Sequence, residues 1–111
     1  MKRIIVLLVS LLMISGCGEN NKLDYKKIMS ENEYVIIDVR TKEEYNESHI
    51  IDAINIPYDE IDDTINISKD KIIFVYCKSG NRSNIAYKFL TNLGYTVYDL
   101  GAFTNIDLEK E

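Results

Sequence analysis

The sequence predicts a small α/β domain: a parallel sheet of four to five strands with helices on both faces. Three observations carry this. Short β-branched runs alternate with helical stretches along the chain, which is the pattern of a parallel sheet with crossover helices. The run Tyr34-Val35-Ile36-Ile37-Asp38-Val39 lacks the apolar–polar alternation of a half-exposed strand, so it is buried on both faces. The 111 residues hold one domain and no repeat or low-complexity tract.

The elements follow in order. Leu23, Tyr25, Ile28 and Met29 mark a weak helix over 23–29. The first strand, 34–39, is followed by Thr41-x-x-Glu44, a capping box that starts a short helix ending near Ser48. Ala53 to Ile56 is a second strand, stopped by Pro57. Tyr58 to Ile65 reads as a short helix with an acidic start, which suits the helix dipole. Lys71 to Tyr76 is the third strand. Ala86, Phe89, Leu90 and Leu93 stand at i, i+3, i+4 and i+7 in a helix over 83–93, with Gly94 as its stop. Tyr95 to Tyr98 is a fourth strand, and Phe103 to Glu111 a closing helix.

Residues 1–16 read as a targeting segment outside this domain. Lys2-Arg3 precedes an apolar run, Ile4 to Ile14, broken only by Ser10. That run is too short to span a bilayer, which takes about 20 residues, and it has the plan of a secretory signal. Ile14-Ser15-Gly16-Cys17 resembles the lipobox of bacterial lipoproteins. The resemblance implies cleavage before Cys17, a lipid on its sulfur, and an extracytoplasmic protein held at the membrane by that lipid alone. An ordinary signal peptide and a Cys17–Cys77 disulfide are the alternatives. Residues 17–22 then form a polar tether and 23–111 the domain. Without Lys2 and Arg3, 11 basic residues face 18 acidic ones, a net charge of −7 (11 − 18). So acidic a chain is a poor partner for nucleic acid and for anionic headgroups.

The chemistry concentrates in Cys77-Lys78-Ser79-Gly80-Asn81-Arg82-Ser83. A buried strand ends at a cysteine, a loop follows, and a helix begins. Ligands of parallel α/β sheets bind beyond the carboxyl ends of the strands. Gly80 and Asn81 tolerate positive φ, so the loop can curl and turn its N–H groups inward as an anion nest. The helix start adds further N–H donors. A cysteine over such a ring has its thiolate favoured, with Lys78 and Arg82 adding positive charge. The bland alternative is a cysteine that simply ends a core strand.

This loop, C-x-x-x-x-R in the form CKSGNRS, resembles the active-site loop of rhodanese domains, the thiosulfate or persulfide sulfurtransferases. Ile37-Asp38-Val39-Arg40, Glu43-Glu44-Tyr45 with His49-Ile50, and Ala53-Ile54-Asn55-Ile56-Pro57 match further family segments, so the likeness spans about residues 23–106. It implies Cys77 as the sulfur-carrying nucleophile, with a sulfur donor and a thiol or cyanide-type acceptor as small-molecule partners. It also implies the backbone donors of Lys78, Ser79, Gly80, Asn81, Arg82 and Ser83 as the anion cradle. Arg82 would close the loop and meet an anionic donor, and Lys78 would tune charge. Asp38 and Arg40, the latter within reach of Glu44, would be structural support. His49 is read as a structural loop residue, not a base. No metal or cofactor is implied, and a monomer is expected.

Two departures stand out. His49-Ile50-Ile51-Asp52-Ala53 lacks the family's Pro and Gly, and Gly101-Ala102-Phe103-Thr104-Asn105-Ile106 lacks its second Gly and Trp. Both put local turn geometry in question. Three rivals remain. Cysteine phosphatases and arsenate reductases of similar layout use C-x5-R, whereas only four residues separate Cys77 from Arg82, a ring that suits sulfur better than phosphate. Many domains of the family are regulatory or interaction modules, but those usually lose the cysteine. A surface thiol carrier or redox relay would need an external resolving thiol.

Overall fold

A computed structural model describes residues 24–111. The signal, Cys17 and tether readings lie outside these residues. The first element, α1 (Tyr25–Glu31), is capped by Asp24, whose carboxylate accepts the Lys27 N–H at 3.2 Å. Residues Glu31–Glu111 form one compact unit. It holds β1 (Tyr34–Asp38), α2 (Lys42–Glu47), β2 (Ile54–Asn55), β3 (Ile72–Cys77), α3 (Asn81–Asn92) and β4 (Thr96–Ala102).

The four strands are all parallel, in the order β2-β1-β3-β4, and helices flank the sheet. The chain leaves β1 toward β2, then crosses back to the other side of β1 to place β3. That reversal makes the carboxyl ends of β1 and β3 a switch point, where a crevice opens for ligand. Asp38 ends β1, Cys77 ends β3, and Asp38 lies in register with Tyr76.

Strand alternation sorts the side chains. Ile37, Val39, Ile73, Val75, Cys77 and Val97 share a core with Ala86 and Leu90 of α3. Their neighbours Ile36, Asp38, Phe74 and Tyr76 point the other way, where Phe74 meets Tyr34 edge-on and stacks on Tyr98. Phe74, Ile73 and Leu90 are fully enclosed, each contributing about 1.5–3 kcal/mol of transfer free energy. The nucleophile candidate thus lies on the α3 face, and Asp38 and Tyr76 on the opposite one.

The capping box forms as its spacing predicts: Glu44 N–H donates to Thr41 Oγ1 at 3.2 Å and Thr41 N–H to Glu44 Oε1 at 3.0 Å. Two helices do not form. Tyr58 to Ile65 gives only a 3-10 turn, Tyr58–Glu60. Beyond it, Asp62 accepts the Thr64 N–H at 2.9 Å, a local bond that competes with helix. The closing segment likewise gives a 3-10 turn, Phe103–Asn105. Its last residues pair antiparallel with the loop after α2 instead, through His49 N–H to Glu111 O at 2.9 Å and Ile51 N–H to Glu109 O at 3.0 Å. The second strand is shorter than expected, and the fourth is longer, running to Ala102 past a bulge beside Val75/Tyr76. Helix α3 begins at Asn81, two residues before its expected start.

The missing Gly of the His49–Ala53 turn is replaced by strain. Asp52 stands at φ 72°, the one non-glycine residue with positive φ among those described, and Ala53 N–H closes the turn on Ile50 O at 3.0 Å. A left-handed L-residue costs roughly 1–2 kcal/mol, less for Asp than for most. Asp52→Gly is therefore expected to stabilise the domain by up to about 1 kcal/mol, once glycine's extra unfolded-state entropy is set against the relieved strain, and so to raise the thermal midpoint. A lowered midpoint in a thermal melt would mean that the Asp52 side chain holds the turn.

Candidate active site

Cys77 closes β3 with none of its surface exposed. Its Sγ is met by Gly80 N–H at 2.9 Å and Ser83 N–H at 3.3 Å, and the thiol faces Ser83 Oγ at 3.5 Å. Two local facts aim these donors. Gly80 stands at φ 100°, a left-handed conformation open to glycine, and turns the chain sharply into α3. An added Cβ at Gly80 would come no nearer than 4.0 Å to Gly101 Cα, so it is the left-handed φ rather than crowding that calls for glycine there. Helix α3 then starts directly under the sulfur. Asn84 N–H makes the first helical bond, to Gly80 O at 3.1 Å, leaving the preceding N–H groups free for the sulfur side.

Burial pushes the Cys77 thiol up. The Ser83 hydroxyl and the N–H groups of Ser83, Gly80 and Ser79 pull it down more strongly, and the thiol ends below its ordinary value. Ser83 is more than a backbone donor. Its hydroxyl donates to Gly80 O at 3.1 Å while the thiol is protonated. It has one proton, so supporting the thiolate means turning from Gly80 O toward Sγ. Ser83→Ala is expected to move the pH midpoint of iodoacetamide alkylation at Cys77 upward, read by peptide mass spectrometry. The thiolate fraction rises with pH through the pKa, so the variant should react more slowly near neutral pH and match the parent well above both midpoints. An unmoved midpoint would leave the backbone N–H groups as the only activators.

Arg82 Nη1 and Nη2 bind Glu44 Oε1 and Oε2 at 2.8 and 3.2 Å. This pair ties the loop to the start of α2. The Arg82 contact, together with the Thr41 bonds, lowers the Glu44 carboxyl to about 2 against the opposing effect of burial. Arg40, expected within reach of Glu44, lines the same cleft as Glu44 and binds Asp38, Nε at 2.9 and 3.0 Å and Nη2 at 2.6 Å; Nη2 also donates to Ser48 O at 2.7 Å. Arg40 is buried, its guanidinium carbon 4.4 Å from the Phe103 ring centroid and 5.5 Å from that of Tyr76. The geometric preference for Asp38 follows from its distance of two residues and the bidentate fork. Lys78 is exposed, beside Cys77. Asn81 stands at the helix start rather than at positive φ.

His49 is not brought to Cys77. Its ring stacks on Tyr45 at 3.8 Å and its nitrogens face Tyr45 O and Glu111 Oε2. Tyr76 went unnoticed in the sequence because it lay inside the apolar run. Its hydroxyl accepts the Ile50 N–H at 3.1 Å and its ring stacks on Phe103 at 5.6 Å. A cleft of about 200 Å³ is lined by Arg40, Glu44, Glu47, Ser48, Lys78, Phe103 and Thr104. Among the described residues no group of His, Cys, Asp and Glu is placed to hold a metal.

A parallel α/β domain with a thiol met by backbone donors, at the end of a central strand, defines a class of fold able to use a cysteine nucleophile. Within that class the chain matches the rhodanese-like domain over residues 22–106, and it belongs to that family. It is 37% identical over 78 residues to the thiosulfate sulfurtransferase PspE of Escherichia coli, spanning 67% of this chain and 75% of that protein. It is 32% identical over 79 residues to the adenylyltransferase and sulfurtransferase uba4 of Ogataea parapolymorpha, covering 69% of this chain and 20% of that one. The chain spans only about a fifth of the length of that protein and of others it matches equally well. Among solved structures, a rhodanese with anions from E. coli superposes with a TM-score of 0.65 at 34% identity, covering 70% of this chain and 96% of that one. The BH2092 protein from Bacillus halodurans gives 0.64 at 32% identity, with coverages of 79% and 69%. At the level of the family, sulfur transfer is the activity these enzyme relatives carry in their names.

Proposed function

We propose that this domain is a sulfurtransferase working by double displacement through a Cys77 persulfide. The observation that carries the reading is the buried Sγ held by the Gly80 and Ser83 N–H groups at the start of α3. In the first half, the Cys77 thiolate attacks the sulfane sulfur of thiosulfate. The S–S bond of the donor breaks, sulfite leaves with the electron pair, and Cys77–S–S⁻ forms. In the second half, cyanide or a thiolate attacks the outer sulfur. The pair returns to Sγ, and thiocyanate or an acceptor persulfide departs. The loop donors hold the single negative charge, which resides on sulfur throughout, so no reorganisation is needed between halves. The relative named as a thiosulfate sulfurtransferase supports this donor; a persulfide donor would deliver the same atom.

The test is direct. Full-length protein treated with thiosulfate should gain the mass of one sulfur, release sulfite, and lose the added mass to cyanide as thiocyanate. A protein that stays unmodified with thiosulfate and with small persulfides would instead be a binding module. We further propose, on the lipobox resemblance alone, that Cys17 carries a lipid and tethers the domain outside the cytoplasm. Intact-mass measurement of protein extracted from its own membranes reads this, and an unmodified Cys17 would overturn it.

A further inference from the structure

The outer face of α3 is out of keeping with the rest of the chain. The protein carries a net charge of −5, yet the 12 residues of α3 include no acid. Its two cations are Arg82, held by Glu44, and Lys88, which is exposed and has no ion-pair partner among the described residues. Ile85 and Phe89 stand one turn apart on the same helix and are 53% and 38% exposed. A lone exposed apolar side chain is ordinary, but a group of them marks an interaction surface. The 3-10 turn Tyr58–Glu60 packs against α3 and adds Tyr58, 37% exposed. That turn has the opposite charge. No basic residue occurs from Tyr58 to Ser68, and Asp59, Glu60 and Asp63 are exposed without an ion-pair partner among the described residues. Helix and turn touch, yet no ion pair joins Lys88 to these acids.

We infer that this surface docks a second copy of the chain, α3 against α3 across a two-fold axis. A two-fold interface needs a patch that complements itself, since each copy must receive what it offers. An apolar centre beside one free cation and a run of free acids meets that condition. Ile85 and Phe89 pack on their own counterparts, and Lys88 of each copy meets the Asp59–Glu60 turn of the other. The axis forms both cross-pairs at once. A lipid surface fits less well, because anionic headgroups would repel the acids beside α3. One helix face and one turn make a small interface, so the dimer is weak, with a dissociation constant of roughly 10 μM. The inference stands apart from the sulfur-transfer reading and does not depend on it.

Sedimentation velocity of the full chain in a non-ionic detergent, at concentrations bracketing about 10 μM, tests this. The parent should pass from monomer to dimer as concentration rises. Ile85→Ser should raise the dissociation constant by at least about tenfold, the scale of losing an apolar anchor at an interface centre. Lys88→Glu should stay monomeric, and so should the double variant Asp59→Lys with Glu60→Lys, because each sets like charges against one another on both sides of the axis. Mixed in equal amounts, these two variants should dimerise again, since every cross-pair is then opposite in sign. Misfolding cannot mimic that rescue. Association that survives all of these substitutions, as it would if the apolar run 4–14 caused it, would overturn the proposal. A parent that remains a monomer throughout, the state expected from the sequence, would overturn it as well.

Discussion

Cys77→Ser is expected to abolish sulfur uptake and turnover, by at least about a thousandfold, the scale on which loss of a covalent nucleophile is felt. The argument is chemical. A serine hydroxyl at that position still meets the Gly80 and Ser83 N–H groups, now at somewhat longer range, but it cannot accept a sulfane sulfur. The substitution nearly preserves shape at a site with no exposed surface, so the fold should survive and circular dichroism should match the parent. Mass spectrometry after thiosulfate then reads the loss. The sequence also holds Cys17, which makes the control informative: Cys17→Ser should keep the added sulfur. Sulfur retained by the Cys77→Ser variant would place the nucleophile elsewhere.

The second large effect is on stability. Asp38→Ala should destabilise the domain by about 3–5 kcal/mol, the cost of leaving a buried charge without its partner. Side-chain exposures are 0% for Asp38 and 6% for Arg40, so water cannot take over for the lost carboxylate. The guanidinium is also hemmed in by Tyr76 and Phe103. Domains of this size have roughly 5–15 kcal/mol in all, so the urea midpoint should fall steeply. Arg40→Met added to Asp38→Ala should restore part of the loss, because the uncompensated charge is then gone. A loss below about 1 kcal/mol for Asp38→Ala alone would mean that Arg40 reaches solvent.

What the sequence revealed and what it hid divide along local and non-local lines. The capping box at Thr41 and Glu44, the helix stop at Gly94 and the strand ending in Cys77 depend on residues within one turn of each other. Composition and spacing are enough to read them. The closing helix failed for the opposite reason. Nothing near residues 107–111 announces that His49 and Ile51, some sixty positions earlier, will supply the pairing. The same holds for the charges. Asp38, Arg40, Glu44 and Arg82 were each singled out, yet their partners depend on which strand ends the fold sets side by side. Glu44 has Arg82 across the loop, and Asp38 takes Arg40 from its own strand end. The Ser83 hydroxyl carried a faint signal, a serine in the first turn of a helix, where such side chains habitually bond backward.

The enclosure of Sγ bears on where a persulfide can be attacked. Cys–S–S⁻ has two electrophilic sulfurs with different outcomes. Attack at the outer one delivers sulfur to the acceptor. Attack at the inner one forms a mixed disulfide and expels hydrosulfide, wasting the cargo and blocking the enzyme. Here the inner atom has no exposed surface and is fenced by Gly80 and Ser83. On the proposed persulfide route, that enclosure would favour attack at the outer sulfur, and so productive transfer over hydrosulfide loss.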